Sequence, residues 1–298
     1  MSLNAHCKSS PQRLVVFGAG YVGGHLAREA AQRGLEVVAL TRNPTKAAAL
    51  RADGIEVVEG DLSETDWHAK MPGKVDLVLN SVSSGGGGIE GYRRSYVGGM
   101  KSIMSWVRQS QPGTLVYTGS TSVYPQDGGI RVDETAATAP LDERPALLRE
   151  AEEIALAGAS ELRVFVLRLA GIYGPSRHHL LDQIRAGEPL AGSGERRLNL
   201  VHRDDICVAI WLCLTAPPAV GGGIFNVVDD TPARRLEVAA WLARRLGGAE
   251  PVFDVNLPGR RRAELPDRII ENRKLRETLG WRPQYPSYRE GYETLVSR

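Results

Sequence analysis

A chain of 298 residues that is 42% hydrophobic is long enough to bury a large core, as one large domain or two coupled lobes. Its net charge of +2, with 24% of residues charged, excludes the strong basic excess of a dedicated nucleic-acid binder. No run of about 18 apolar residues occurs, and the opening MSLNAHCKSSPQR lacks the apolar stretch of a signal peptide, so a soluble, cytoplasmic protein that does not enter a membrane is expected. Cys7, Cys207 and Cys213 have neither CxxC spacing nor a disulfide framework, which suits a reducing compartment, and the last two lie in an apolar helical stretch.

In chain order, short β-branched runs fall at Leu14 to Phe17, Val37 to Leu40, Ile55 to Glu59, Val75 to Asn80, Thr114 to Thr118 and Val164 to Leu169. Such runs read as buried parallel strands. Between the first two, Val22 to Gln32 spaces Val22, Leu26, Ala27, Ala30 and Ala31 along one helical face. Strand and helix in alternation give an α/β fold, a Rossmann-type doubly wound parallel sheet. A further strand at Ile224 to Val228 brings the sheet to about seven strands. The stretch from Gly174 is rich in Pro, Gly and Arg, and from Asp229 the chain turns helical and basic. These segments are expected to form a smaller C-terminal substrate lobe (174–198 and 229–298) over the strand ends of the dinucleotide-binding part (11–173 and 199–228), where an open α/β sheet places its ligand. There is no internal repeat, and the low-complexity segment is the glycine run Gly85 to Gly88.

The strongest motif is RLVVFGAGYVGGHLAREA, in which a strand runs into Gly18, Gly20 and Gly23 and a helix follows. The first glycine permits the tight turn, the second lets backbone approach a pyrophosphate, and the third lets helix and strand pack closely. The helix start at Tyr21 and Val22 then offers N–H groups and a positive dipole end to phosphates, so a dinucleotide is expected here. The second strand ends at Thr41-Arg42, with Lys46 nearby and no carboxylate for a ribose 2′-hydroxyl. That favours NADP over NAD, against the alternative of a solvent-facing Arg42.

These segments, followed by GDL at Gly60 to Leu62, YTGSTSVYP at Tyr117 to Pro125, RLAGIYGP at Arg168 to Pro175 and LVHRDDI at Leu200 to Ile206, resemble the extended short-chain dehydrogenase/reductases of the NAD-dependent epimerase/dehydratase family. The closing FNVVDD and KLRETLGWRPQYPSYREGY resemble it as well. The resemblance implies that Asp61 and Leu62 flank the adenine, with Asp61 equally able to cap the segment at Ser63-Glu64. It also implies that Asn80, Ser81 and Val82 line the ribose and nicotinamide side, and that Ser120 is the active-site hydroxyl.

The family's catalytic YxxxK pair precedes an Ala-Glu pair on the following helix. Counting back from Ala151-Glu152 places Arg144 at the tyrosine position and Leu148 at the lysine position. Arginine is a poor proton donor and leucine can neither lower a pKa nor hold a ribose. Three readings stay open: a proton from Tyr124, Tyr173 or water, with Ser120 positioning the substrate and Arg144 supplying a nearby charge; a cofactor-binding redox sensor without turnover; and a slipped alignment, disfavoured because no tyrosine lies between Tyr124 and Tyr173.

For a substrate, the candidates are Ser83, Ser120, Arg144, Arg197 and His202, with Asn199 between the last two. His202 reads more readily as a structural hydrogen-bonder than as a catalyst. His178 and His179 are adjacent and lack a third ligand, so no metal is expected. The pairs Arg196-Arg197, Arg234-Arg235 and Arg244-Arg245 read as solvated faces. Arg260, Arg261 and Arg262 read either as a contact for an anionic ligand such as a nucleotide sugar or as a solvated edge. Ser83 and Ser84 with the glycine run suggest a mobile loop that closes over a substrate. The family resemblance implies a small-molecule substrate, hydride transfer on a hydroxyl or carbonyl, and a homodimer.

Overall fold

The computed structural model describes residues 12–84, 86–138, 142–160, 162–257 and 266–296. Cys7, Gly85 and Arg260 to Arg262 lie outside the described residues. Two compact units are present: one comprises the chain up to Tyr117 with Ala157–Val164, the other Thr118–Leu156 with the chain from Phe165.

The first unit alternates strand and helix: β1 (Arg13–Phe17), α1 (Gly23–Gln32), β2 (Glu36–Thr41), α2 (Pro44–Ala52), β3 (Glu56–Glu59) and β4 (Leu77–Asn80). A short helix α3 (Gly88–Tyr92) runs through a wide π-helical segment, Arg93–Gly98, into α4 (Gly99–Ser110) and then β5 (Thr114–Ser120). β1 pairs in parallel with β2 and β4, β2 with β3, and β4 with β5. Phe17 sits edge-on to Trp67 and Trp106, at 5.1 and 5.5 Å between ring centroids, which fills one face of the sheet.

The second unit contains β6 (Ile130–Val132), α5 (Glu143–Leu156), β7 (Arg163–Leu169), β8 (Gly171–Tyr173), α6 (His179–Arg185), β9 (Leu190–Ala191), β10 (Arg197–Leu198), β11 (Leu200–His202) and α7 (Arg203–Leu214). It ends with β12 (Gly223–Val227), β13 (Ala233–Arg234), α8 (Arg235–Arg245), β14 (Phe253–Asp254), β15 (Arg268–Ile270), α9 (Arg273–Leu279) and α10 (Tyr288–Val296). The main sheet has seven strands in the order β12-β7-β5-β4-β1-β2-β3, the Rossmann-like arrangement expected. A core of Tyr173, Leu181, Val238, Leu242, Tyr288 and Tyr292 fills the C-terminal part of this unit.

The units divide inside β5 and β7, whereas composition suggested a break at Gly174. The reason is long-range pairing: β15 pairs with β6, and the Arg268 guanidinium bonds Thr121, so 118–156 packs with the chain's end. Cys207 and Cys213 are buried in α7, as the apolar pattern implied. Among the described residues, no helix is long and apolar enough to cross a membrane.

Candidate functional site

The glycine turn after β1 is built for a close backbone approach. Gly18 holds φ at +83°, and a Cβ there would come within 2.6 Å of the Ser81 backbone and the Val82 nitrogen. A Cβ on Gly23 would strike the Gly18 carbonyl. Gly20 differs: a Cβ there would meet nothing nearer than the Gly18 carbonyl at 4.0 Å, and the residue is exposed. So Gly18 and Gly23 are glycines because protein backbone is pressed against them, and Gly20 leaves room for something outside the chain. No side chain caps α1 at Val22; the Gly24 N–H donates to the Gly20 carbonyl at 2.9 Å, and the positive end of the helix faces the exposed glycine turn.

The neighbouring strand end is fixed around the same turn. The Ser81 N–H donates to the Phe17 carbonyl at 2.8 Å, and the buried Asn80 accepts from the Val82 N–H at 3.2 Å. The structure therefore brings Asn80, Ser81 and Val82 against Gly18. Leu62 is buried and touches Gly99, where a Cβ would come within 2.9 Å of its Cδ2.

Of the two roles left open for Asp61, the local one is seen: its carboxylate accepts from the Ser63 N–H at 3.0 Å and the Ser63 hydroxyl at 2.8 Å. It also faces two arginines, Arg42 at 3.5 Å and Arg94 at 3.3 Å. Burial pushes its pKa up, but the Ser63 hydrogen bonds and the charges of Arg94 and Arg42 outweigh this and hold it below the ordinary carboxylate value. Arg42 and Arg94 line a pocket of about 320 Å³ with Ser84, Gly86, Gly87, Glu90 and Gly91. Arg94 lies in no sequence motif; it stands in the π-helical segment Arg93–Gly98 and meets Asp61 from a distant part of the chain. Thr41 accepts from the Asn43 N–H, and Lys46 is exposed in the first turn of α2, outside the residues lining that pocket. Ser83 is exposed. Gly86, Gly87 and Gly88 all hold positive φ, and a Cβ on Gly91 would collide with the Gly86 carbonyl, so the stretch from Gly86 to Gly91 is a closely folded turn.

In the second unit, Ser120 ends β5 and starts a short 3₁₀ turn, Thr121–Val123. Its hydroxyl accepts from the Ser122 N–H at 3.2 Å and the Ser122 hydroxyl at 2.9 Å. With the oxygen's acceptor capacity used in this way, what remains for a substrate is its O–H donor.

Tyr124 is enclosed. Its hydroxyl donates to Asn226 Oδ1 at 2.9 Å and accepts from Arg168 Nη1 at 2.8 Å. Burial pushes the Tyr124 pKa up, and the Arg168 charge beside it does not overcome that. The cation at this tyrosine is Arg168, whereas sequence reasoning offered Arg144. Arg168 is itself forked onto Glu152, with Nε at 3.1 Å from both carboxylate oxygens and Nη2 at 2.7 Å from Oε2. Arg144 sits half-buried in the first turn of α5 and Leu148 is buried in its core face.

Tyr173 is buried, stacks on Tyr292 at 4.8 Å and points its hydroxyl at the Ser287 carbonyl, 3.4 Å away. Burial raises its pKa far out of the range of a useful acid. His202 caps α7 by accepting from the Asp204 N–H and lies between the rings of Tyr173 and Tyr285. That geometry fits a structural hydrogen-bonder.

A cavity of about 480 Å³ in this unit is lined by Tyr173, Leu180, Leu198 and Tyr292 and by the cationic or titratable Arg177, His179, Arg196 and Arg235, with Glu188 as the acidic member. Arg197, the arginine singled out by sequence, is paired instead with Asp267 at 2.7 Å. Its neighbour Arg196 is the one that reaches the cavity. His178 pairs with Asp182, while His179 lines the cavity.

The chain is similar to known proteins over nearly its whole length. Protein YeeZ of Escherichia coli (strain K12) is 29% identical over 283 residues, covering 92% of this chain and 97% of YeeZ. The 3-diazoavenalumate denitrifying reductase of a Streptomyces species is 26% identical, over 94% of this chain and 98% of the reductase. Among solved structures, the UDP-glucuronic acid 4-epimerase of Bacillus cereus, bound to UDP-glucuronic acid and NAD, superposes with a TM-score of 0.82 over 96% of this chain and 98% of the epimerase. At 19% identity that likeness shows the fold. The profile of the NAD dependent epimerase/dehydratase family matches residues 14–227, and the chain belongs to that family.

Proposed function

We propose that the protein is an NADP-preferring oxidoreductase that transfers hydride to or from a hydroxyl or carbonyl of a small anionic molecule, with a nucleotide-linked or sugar compound as the first class to try. The observation that carries the reading is the combination of the uncapped α1 N-terminus, the exposed Gly20 and the Arg42–Asp61–Arg94 cluster. Gly18, Gly20, Tyr21, Val22 and Gly23 would hold the pyrophosphate, and Arg42 and Arg94 would receive a 2′-phosphate, released from Asp61 as the stronger anion engages them. Asn80, Ser81 and Val82 would border the ribose. The Bacillus cereus epimerase of like fold binds NAD, so the reading of NADP rests on these two arginines alone.

The bound nicotinamide would supply or accept the hydride. On the substrate side, the Ser120 O–H would donate to the substrate oxygen, and Arg177, Arg196 and Arg235 would attract its anionic part. Reduction of a carbonyl places hydride on carbon and leaves an oxyanion that needs a proton. With Arg144 and Leu148 on α5, and with the hydroxyls of Tyr124 and Tyr173 turned into the protein, water is the donor that fits. A positioned general acid contributes about 10²–10⁴-fold, so turnover is expected to be slow for the family. The same enclosure of Tyr124 supports a second reading, a redox sensor that binds NADP without turnover. A cytoplasmic homodimer completes the proposal.

Titration of the purified protein with NADPH and NADH by fluorescence, followed by a panel of carbonyl compounds and nucleotide sugars, tests both readings. NADPH is expected to bind more tightly than NADH, by about tenfold, with the advantage lost in Arg42→Gln and Arg94→Gln. Oxidation of NADPH by a panel member supports the enzyme; binding without turnover supports the sensor; binding of neither nucleotide refutes both.

A further inference from the structure

Arg268 opens β15 and is 5% exposed. Its Nη2 donates to the Thr121 carbonyl at 2.9 Å, while its Nε and Nη1, both shielded from solvent, reach no acceptor among the described residues. No carboxylate among the described residues forms an ion pair with it. Asp127 is within electrostatic reach, but its carboxylate accepts from the Asp267 N–H at 2.6 Å. The other charged neighbour is Arg196, a second cation, and burial together with that repulsion lowers the Arg268 pKa. The contrast within the same unit is sharp. Arg168 is as buried and has all three nitrogens matched, and Arg197 is matched by Asp267. Keeping a buried cation without a counter-charge is strongly unfavourable, so a fold that retains one is expected to meet an anion there.

The position is informative. The carbonyl that Arg268 holds belongs to the residue directly after Ser120, and Arg196 lines the cavity of this unit. We propose that Arg268, with Arg196, forms a binding site for an oxyanion, a carboxylate or a phosphate, at the Ser120–Ser122 turn. The site selects substrates whose anionic group lies close to the carbon that reacts. This second statement rests on the reading of Ser120 as the substrate's hydroxyl partner; the existence of the anion site does not.

The test uses the full chain saturated with NADPH, so that phosphate does not report on Arg42 and Arg94. Inorganic phosphate and acetate are titrated separately, and thermal unfolding is followed for the wild type, Arg268→Met and Arg268→Lys, with Arg234→Gln, an exposed partner of Glu195, as control. Saturable stabilisation of the wild type by phosphate or by acetate is expected, weakened about tenfold or more in Arg268→Met, partly restored in Arg268→Lys, and unchanged in Arg234→Gln. The anion that stabilises names the oxyanion class. In anion-free buffer, Arg268→Met is expected to be at least as stable as the wild type, because it removes an unmatched buried charge. A strut holding Thr121 would give the reverse, a variant destabilised to the same extent with and without anion, and that result overturns the proposal. Equal anion affinity in the wild type and Arg268→Met overturns it as well, as does the absence of saturable stabilisation by either anion. Loss of NADPH binding would refute the proposed function while leaving the anion titration of the unloaded protein to decide this site.

Discussion

Replacing Glu152 by Gln strips the counter-charge from Arg168 while keeping the shape of the side chain. The two side chains are 2% and 4% exposed, so the remaining guanidinium has no water to turn to. Three of its contacts run to Glu152, and the amide that replaces the carboxylate turns one acceptor into a donor facing Arg168. Breaking a pair buried this deeply costs about 3–5 kcal/mol. For a chain of this length, that amounts to a fall in Tm of roughly 5–8 °C. Replacing both partners at once, Glu152→Leu with Arg168→Met, is expected to recover most of the loss and land within about 1–2 kcal/mol of the wild type, because no charge is left buried. Tyr124 keeps its bond to Asn226 in that double variant. The assay is urea unfolding at pH 7 of the wild type, both singles and the double, followed by far-UV circular dichroism. A double variant that loses the sum of the two singles would show that the pair is not coupled and that its burial was misread.

Three shorter predictions follow from particular contacts. Gly18→Ala places a methyl 2.6 Å from the Ser81 backbone and is expected to destabilise the fold and abolish nucleotide binding, whereas Gly20→Ala keeps the wild-type Tm and weakens nucleotide binding alone; equal melting curves for the two would contradict the packing at Gly18. Asp205 accepts from the Gln284 and Tyr285 N–H groups, yet burial lifts its pKa from 3.8 to about 6. The folded state therefore holds this proton more tightly than the unfolded chain. Its stabilising effect is full below pH 3.8 and lost as pH rises through 6, a change of about 3 kcal/mol. Relative to Asp205→Asn, wild-type stability is expected to fall between pH 4 and 7, and a constant difference would count against the shift. Gly291→Ala drives a methyl into the Tyr173 hydroxyl and is expected to cost about 1–3 kcal/mol, with the loss reduced in the Gly291→Ala/Tyr173→Phe double.

The amino-acid sequence by itself determined the parts whose causes lie within a few residues. Short β-branched runs located the seven strands of the main sheet to within two residues, since β-propensity and burial are read along a single segment, but not the short strands that pair outside it. The glycine spacing fixed the turn after β1, because φ at Gly18 and the clearances at Gly20 and Gly23 depend on adjacent backbone. That α5 carries neither a tyrosine nor a lysine was equally plain.

What only tertiary structure decided are the partners far apart in the chain. Tyr124 looked available as a proton donor until Asn226, 102 residues on, and Arg168 closed around its hydroxyl. Arg196 and Arg197 are indistinguishable as a pair of letters, but Asp267 claims one of them and the cavity receives the other. Arg268 lies in no motif, and its link to Thr121 spans 147 residues. Local periodicity specifies which face of an element is buried, but whether a charge on that face meets a counter-charge depends on which distant segment packs there, and that is set by the whole fold.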